Sequence, residues 1–176
     1  MKEETLQKLQ NRIHQQNKEM GWWDEPRSRA TLVNLFHSEL SEAVEGLRKN
    51  LMDDHLPEYP MWQVEIADFV IRVLDYLGSE NFQWDLSQLN DDSISVEDEM
   101  TLIAQMHDGV SCFFSSFDFS GYSDDVDLAE DAWNCFCYFD RKEIPLLQII
   151  EEKVAYNLTR ADHKPENRAK EGGKKF

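Results

Sequence analysis

Residues 35–47, LFHSELSEAVEGL, have the pattern of an amphipathic helix with acidic residues where core residues are expected. At 100° per residue, one broad apolar face is formed by Leu32, Leu35, Phe36, Leu40, Ala43 and Leu47. Glu39 falls inside that face, and Glu42 lies at its edge. Because an unpaired buried carboxylate is costly, the pattern indicates that something positive attracts these two acids.

A second acid pair follows in residues 62–77, WQVEIADFVIRVLDYL, on the next predicted helix. Glu65 lies beside the apolar face of this helix, and Asp68 lies further round, near Arg72. A spacing of i, i+3 places each pair of carboxylates on neighbouring positions of one helix surface. Because a short link with prolines joins the two helices, we expect them to pack antiparallel and to bring four carboxylates around one point.

Four converging acids repel one another unless a cation lies among them. All-oxygen ligands favour hard divalent ions, Mg²⁺ or alternatively Mn²⁺, over zinc or copper. A di-iron centre is the rival, but it needs Glu-x-x-His from two helices, and His37 lies two residues before Glu39. The plainer alternative is that the acids are solvated and paired with Arg48, Arg72 or the C-terminal tail. Because two acid pairs intrude on apolar faces, the pattern favours the metal site.

The composition is typical of one globular domain: 176 residues, of which 41% are hydrophobic and 11% aromatic. No apolar run approaches the length of about 18 residues that spans a membrane, and the N-terminus lacks the apolar stretch of a secretory signal. Three cysteines without metal-finger spacing favour reduced thiols, so we expect a cytoplasmic protein. A net charge of −17 argues against binding to nucleic acid, although Lys and Arg gather near the C-terminus.

The 3.6-residue periodicity predicts an all-α fold of four or five helices. The first four are expected over about residues 4–20, 30–50, 61–77 and 96–116, the last capped by Ser95 with Asp98 three residues later. A fifth helix begins near Val126, and Pro145 must kink or divide it before it ends near Thr159. We therefore expect one all-α domain over residues 1–160, a helical bundle with a four-helix core, and a basic tail over residues 161–176.

A faint internal repeat relates the two predicted helix pairs. The alignment pairs Glu39 with Gln105, Glu42 with Asp108, and Asp68 with Asp131. The second pair would then be a degenerate copy that has lost most of its acids, and one chain would supply a whole four-helix bundle. Chance similarity between amphipathic helices is an equal alternative.

The order Glu39-x-x-Glu42, 22 intervening residues, then Glu65-x-x-Asp68 resembles the signature of the all-α nucleoside triphosphate pyrophosphohydrolases. That superfamily includes the MazG-like proteins, the dCTP pyrophosphatases and the dimeric dUTPases. The resemblance implies a helical bundle in which the four acids hold one to three Mg²⁺ ions. It also implies hydrolysis of (d)NTP to (d)NMP and pyrophosphate, a role in nucleotide-pool housekeeping, and a homodimer or homotetramer. Glu39 and Glu42 would be catalytic, with Glu42 our choice for orienting or deprotonating the attacking water.

A second match lies near the C-terminus, where Lys153-x3-Asn157-x2-Arg160 precedes GGKKF. Dimeric dUTPases and many MazG-like proteins have a similar segment, and in that family its groups contact the triphosphate. Spaced at i, i+4 and i+7, the three side chains lie on one helical stripe and suit several phosphate oxygens. Lys174 and Lys175 would fold over the substrate, unless the tail is simply solvated and disordered.

The stretch GWWDEPR, residues 21–27, is similar to a tryptophan-containing stretch that precedes the acid-bearing helix in dCTP pyrophosphatases. Trp22 or, in our assignment, Trp23 would stack on a nucleobase, although tryptophans at a helix end also serve as core cover. His37 is close enough to Glu39 to face the base or sugar, with ordinary hydrogen bonding as the alternative.

The resemblance covers about residues 22–77 and 150–176 and leaves residues 78–149 unassigned. Two other functions stay open. A non-enzymatic helical bundle would bind a partner through its acidic face, and a phosphohydrolase would act on other phosphate esters through the same metal site. Release of pyrophosphate from a nucleoside triphosphate separates the three. We expect a nucleotide substrate and neither a nucleic acid nor a membrane partner.

Overall fold

A computed structural model of the chain describes residues 2–90, 95–116, 125–168, 170 and 172. These residues form seven α-helices and no strand: α1 (Glu3–Glu19), α2 (Arg29–Lys49), α3 (Met61–Ser79), α4 (Glu99–Ser116), α5 (Asp125–Arg141), α6 (Leu146–Thr159) and α7 (Pro165–Arg168). The prediction of an all-α fold is confirmed. No described helix has both the length and the apolar character needed to cross a membrane.

Local signals in the sequence set most of the helix ends. The Ser28 side chain caps α2 by accepting a hydrogen bond from the Thr31 backbone N–H at 3.1 Å. The same helix ends at Asn50, whose φ of +50° is the left-handed conformation that asparagine tolerates. Pro145 divides the fifth predicted helix, because α5 ends at Arg141 and α6 begins just after the proline.

The start of α4 differs from the prediction, since the helix begins three residues later than expected. Asp98, not Ser95, caps it: Asp98 Oδ1 accepts a hydrogen bond from the Thr101 N–H at 2.8 Å. Val96 is buried, and its carbonyl oxygen accepts a hydrogen bond from the Arg141 side chain. Tertiary contacts therefore keep Val96 outside α4, although the sequence pattern predicts a helix that starts near this residue.

The helix α3 is the centre of the fold and packs against α1, α2, α5 and α6. Because α4 in turn packs on α2 and α5, the helices α2 to α5 form a four-helix core. Aromatic rings join these helices, with Phe36 and Phe69 in edge contact at 6.2 Å and Tyr76 and Phe113 at 5.2 Å. The core thus fixes α2 and α3, the helices that carry the four acids.

A glycine brings α2 and α3 into close contact. A Cβ atom at Gly46 would lie 2.9 Å from the backbone nitrogen of Trp62, so no larger residue fits without a shift. The link between the helices is tied down by Asp53, whose Oδ1 accepts hydrogen bonds from the backbone N–H groups of His55 and Leu56 at 2.9 and 2.7 Å. This short, hydrogen-bonded link sets the register in which the two acid pairs face each other.

A second close contact joins α4 and α5, where the buried carboxylate of Asp131 packs against Gly109. A Cβ atom at position 109 would collide with both oxygens of that carboxylate. Asp131 Oδ2 is buried without a hydrogen-bond partner, and burial followed by repulsion from Asp127 and Glu130 raises the pKa of Asp131 well above its ordinary value. The α4–α5 contact therefore depends on the absence of a side chain at position 109.

Replacing Gly109 with alanine is expected to lower the free energy of unfolding by about 1–3 kcal/mol, as overpacking of a buried contact does. In an Asp131→Ala background the same change should cost little, because the colliding carboxylate is gone and alanine favours a helix over glycine. Urea unfolding of the two single variants and the double variant measures both effects. Equal costs in the two backgrounds would contradict this account.

Candidate functional site

Three of the four predicted acids come together between α2 and α3. One carboxylate oxygen from each of Glu39, Glu42 and Glu65 lies within 4.8 Å of the others. Glu39 and Glu65 are buried, whereas Glu42 is exposed at the edge of the group. Among the described residues this is the only set of three side chains arranged to hold a metal ion. We call these three residues the acid cluster.

Asp68, the fourth acid, turns toward α6, where Lys153 Nζ lies 2.8 Å from Asp68 Oδ2. Lys153 is itself buried, which is rare for a lysine without a charged partner. Burial alone would lower the pKa of Lys153, but attraction to Asp68, Asp53 and Glu65 outweighs it, so the pKa is raised. The ion pair therefore keeps a full positive charge beside the acid cluster.

Arg72 supplies a second cation from the next turn of α3. Its Nε–H donates to Glu39 Oε1 at 2.6 Å. Of the cations suggested as plain salt-bridge partners of the acids, Arg72 pairs with Glu39, whereas Arg48 pairs with Glu45 instead. Asp68 pairs with Lys153, which lies on α6 before the tail. Two cations thus offset part of the negative charge.

The two cations do not fully compensate the negative charge around Glu65. Burial, followed by repulsion from Asp68 and Glu39, raises the pKa of Glu65 far above its ordinary value. Burial also raises the pKa of Asp68, although Lys153 opposes the shift. An added cation with oxygen ligands would relieve this repulsion, which makes the acid cluster a fitting site for Mg²⁺ or Mn²⁺.

Replacing Glu65 with glutamine is expected to stabilise the protein in EDTA, raising Tm by about 2–4 °C for each kcal/mol gained. The folded protein must keep a proton on Glu65 that the unfolded chain releases above the ordinary glutamate pKa, so this penalty grows as pH rises. The gain in Tm should therefore be small at about pH 5 and larger at about pH 8.

Thermal unfolding at both pH values, with EDTA and with Mg²⁺, measures this effect. Wild type should gain Tm on adding Mg²⁺, whereas the glutamine variant should gain little because a ligand is missing. A Tm below that of wild type in EDTA would contradict the account of Glu65.

The acid cluster opens into a cavity of about 440 Å³ whose lining comes mainly from α2, α3, the end of α6, and the end of α1 with the segment that follows it. Its charged end is lined by Glu39, Glu42, Glu65, Asp68, Arg72, Lys153, Asn157 and Arg160. Its aromatic end is lined by Trp22, Trp23, Arg27, Phe36, Asp75 and Tyr76, among others. One cavity therefore joins the acid cluster, a set of cationic and amide groups, and aromatic rings.

Lys153 and Asn157 lie on one stripe of α6, whereas Arg160 follows the last residue of that helix in an extended conformation; all three line the charged end. Asn157 Oδ1 is buried and has no hydrogen-bond partner, so this acceptor would be satisfied by a donor group of a ligand. The Arg160 guanidinium forms two hydrogen bonds with the Asp162 carboxylate, of 3.0 and 2.7 Å. Lys174 and Lys175 lie outside the described residues.

At the aromatic end, two arginines pack against the two tryptophans. The Arg27 guanidinium lies 4.8 Å from the centre of the Trp23 ring, and that of Arg168 lies 3.6 Å from the centre of the Trp22 ring. Arg168 also donates to the backbone oxygen of Met20 at 3.0 Å. The first part of the C-terminal tail therefore packs against the segment after α1.

His37 lies away from the cavity, on the side of α2 that faces α4. Its ring stacks on His107, with the two Nδ1 atoms 2.8 Å apart. The two histidines are 70 positions apart in the sequence. The internal repeat, which aligns Glu39 with Gln105, has an offset about four positions smaller, so it does not pair these two histidines. The hydrogen-bonding alternative therefore describes His37 in this structure, and the helices α2 and α4 meet at the two histidines.

Several residues of the cavity had no assigned role from sequence. Asp75 follows Asp68 by two helical turns on the same stripe of α3, so its spacing was a usable signal. Arg27 also lines the cavity and is the last residue of the stretch GWWDEPR, which the sequence had singled out. Arg168 lies outside the cavity lining and had no sequence signal, because the fold of the tail brings it to Trp22. No protein-family model, curated protein or solved structure matches this chain.

Proposed function

We propose that the protein is a Mg²⁺-dependent nucleoside triphosphate pyrophosphohydrolase that converts (d)NTP to (d)NMP and pyrophosphate. The observation that carries the proposal is the cavity in which Glu39, Glu42 and Glu65 face Lys153 and Asn157. Carboxylates for a divalent ion and nitrogen donors for phosphate oxygens occur together where triphosphates are bound. The resemblance of the two acid motifs to the MazG-like superfamily agrees with this proposal.

The donor set fits Mg²⁺, with Mn²⁺ as an alternative, because it consists of carboxylate oxygens of which two belong to buried side chains with unfavourable mutual charge. Glu39, Glu42 and Glu65 would hold the metal, and Asp68 would join them if it left Lys153. When bound there, Mg²⁺ would neutralise phosphate charge and lower the pKa of a bound water.

The protein's own groups would then act in distinct ways. Glu42, the exposed member of the acid cluster, would accept the proton of the water that attacks the α-phosphorus. As the new P–O bond forms, the bond from the α-phosphorus to the bridging oxygen breaks and pyrophosphate leaves. Lys153 and Arg160 would stabilise the negative charge on the departing group, and Asn157 would orient it.

The charge of the chain supports a role for a metal in this reaction. At −17, the protein would repel a triphosphate, and the acid cluster would repel it most strongly. A divalent ion at the acid cluster would reverse that local potential. Two cations that now contact acids, Arg72 and Lys153, would become available to phosphate oxygens at the same time.

The resemblance also leads us to propose a homodimer or homotetramer in the cytoplasm, with nucleotide-pool housekeeping as the role. The aromatic end of the cavity would receive the base, with Trp23 as a stacking surface.

Product analysis with a panel of ribo- and deoxyribonucleoside triphosphates tests the proposed reaction. Monophosphate and pyrophosphate should form in equal amounts with Mg²⁺ and not with EDTA. Orthophosphate as the first product would indicate a phosphohydrolase of another kind. No turnover of any nucleotide by folded, Mg²⁺-loaded protein would favour a binding module that uses the acidic face.

A further inference from the structure

The aromatic end of the cavity contains a buried carboxylate that the proposed reaction does not use. Asp75 lies on α3 and is only 5% exposed. Its Oδ1 accepts a hydrogen bond from Trp23 Nε1–H at 2.9 Å, and His14 Nδ1 lies 2.9 Å from the same oxygen. Neither contact uses Oδ2, and Asp75 lines the cavity.

The position of Asp75 suits the end of a nucleotide that is distant from the phosphates. Seven residues separate it from Asp68, which is two turns of helix and about 10 Å along the axis. The two carboxylates therefore lie on one stripe of α3, one beside the acid cluster and one beside the tryptophans. A nucleotide with its phosphates at the charged end and its base at the aromatic end would have the base near Asp75.

The contacts of Trp23 make this end rigid enough to select a ligand. Its indole N–H is held by Asp75, its edge meets the His14 ring at 5.2 Å, and Arg27 lies over its face. Asp75 is thereby fixed by partners from two other segments of the chain. A fixed acceptor discriminates better than a mobile one, since it cannot turn away from a mismatched group.

We propose that Asp75 Oδ2 accepts a hydrogen bond from the exocyclic amino group of the nucleobase, so that the substrates are nucleotides with amino-bearing bases. Cytosine is then preferred to uracil, and adenine to hypoxanthine. A carboxylate oxygen accepts hydrogen bonds and does not donate them. A base with a carbonyl oxygen at that position would place this second acceptor next to the carboxylate in a buried site, which is unfavourable. The inference rests on the proposed function and specifies its substrate.

The matched pairs dCTP with dUTP and dATP with dITP test the inference, since the members of each pair differ in the exocyclic amino or carbonyl group and in whether the adjacent ring nitrogen carries a hydrogen. Wild type should show kcat/KM at least about tenfold higher for the amino member of each pair. Asp75→Asn keeps an oxygen for His14 and Trp23 and replaces Oδ2 with an N–H donor. That variant should lower the preference at least about tenfold or reverse it.

Glu80→Gln is the matched control, because Glu80 is a carboxylate near the end of the same helix that does not line the cavity. It should leave both preferences unchanged. A wild-type preference for dUTP and dITP, or none, would overturn the inference. So would an Asp75→Asn variant that loses activity on both members equally, since Asp75 would then only support Trp23.

Failure of the proposed reaction gives a different result, namely no pyrophosphate from any nucleotide. In that case calorimetric binding of dCMP and dUMP to wild type and to Asp75→Asn decides the inference. Binding of dCMP at least about tenfold tighter than dUMP, lost in the variant, would support it. Equal or undetectable binding of both would overturn it.

Discussion

Replacing Glu42 with glutamine is expected to lower the rate of Mg²⁺-dependent pyrophosphate release by about 10²–10⁴-fold, the usual contribution of a general base. Glutamine has nearly the same shape, but it neither accepts a proton nor contributes a negative charge to the proposed metal site. Because Glu42 is the exposed member of the acid cluster, the fold should tolerate the change. The loss should therefore fall on the reaction and not on the folded state.

The measurement is pyrophosphate release at saturating Mg²⁺ and nucleotide, with circular dichroism to verify the fold. Glu45→Gln is the matched control, since Glu45 lies one turn further along α2 and pairs with Arg48 and Lys49. It should retain activity within about twofold, as expected for a change at a surface ion pair. If Glu42→Gln kept more than about a tenth of the wild-type activity, Glu42 would not be the general base.

The helices were predictable from sequence because their ends carry local signals. Ser28, Asn50 and Pro145 act within one turn of the chain, so the pattern and the structure agree there. The start of α4 was not predictable in the same way. Burial of Val96 and its hydrogen bond with Arg141 decide that boundary, and the hydrogen bond comes from a residue about 45 positions away.

The acid pairs were predictable because i, i+3 spacing fixes neighbours on one helix. The prediction could not distinguish Asp68 from the other three acids, because its orientation depends on Lys153, which α6 brings in from a distant part of the sequence. The same reason explains His37, whose partner His107 lies on another helix. Residues whose partners are far apart in sequence were therefore placed correctly on their helices but not in their contacts.

The site combines a helix pair that the sequence specifies locally with one cation from that pair and one from another segment. Arg72 comes from the acid-bearing helix α3, and Lys153 from α6. Without metal these cations limit the repulsion among acids that the fold has buried. With metal and substrate their proposed role is to contact phosphate. Arg72 and Lys153 would thus stabilise the metal-free fold and also take part in the proposed reaction. Because Lys153 is buried, its replacement should affect both stability and activity.

Replacing Lys153 with methionine is expected to lower the free energy of unfolding in EDTA by about 3–5 kcal/mol, the cost of breaking a buried ion pair on one side. Methionine fills a similar volume but leaves Asp68 without its cation, next to the acid cluster. Mg²⁺ should restore more stability to this variant than it adds to wild type, because it returns positive charge to the site. Urea unfolding in EDTA and in Mg²⁺ measures both quantities.

The double variant Asp68→Asn with Lys153→Met separates stability from function. It should recover most of the lost stability, since no uncompensated charge stays buried, yet it should not recover pyrophosphate release, because a cation for phosphate is absent. Arg48→Met is the exposed control, and loss of its surface pair with Glu45 should cost less than about 1 kcal/mol. If the double variant were as unstable as Lys153→Met alone, the lysine would stabilise the protein through packing and not through its charge.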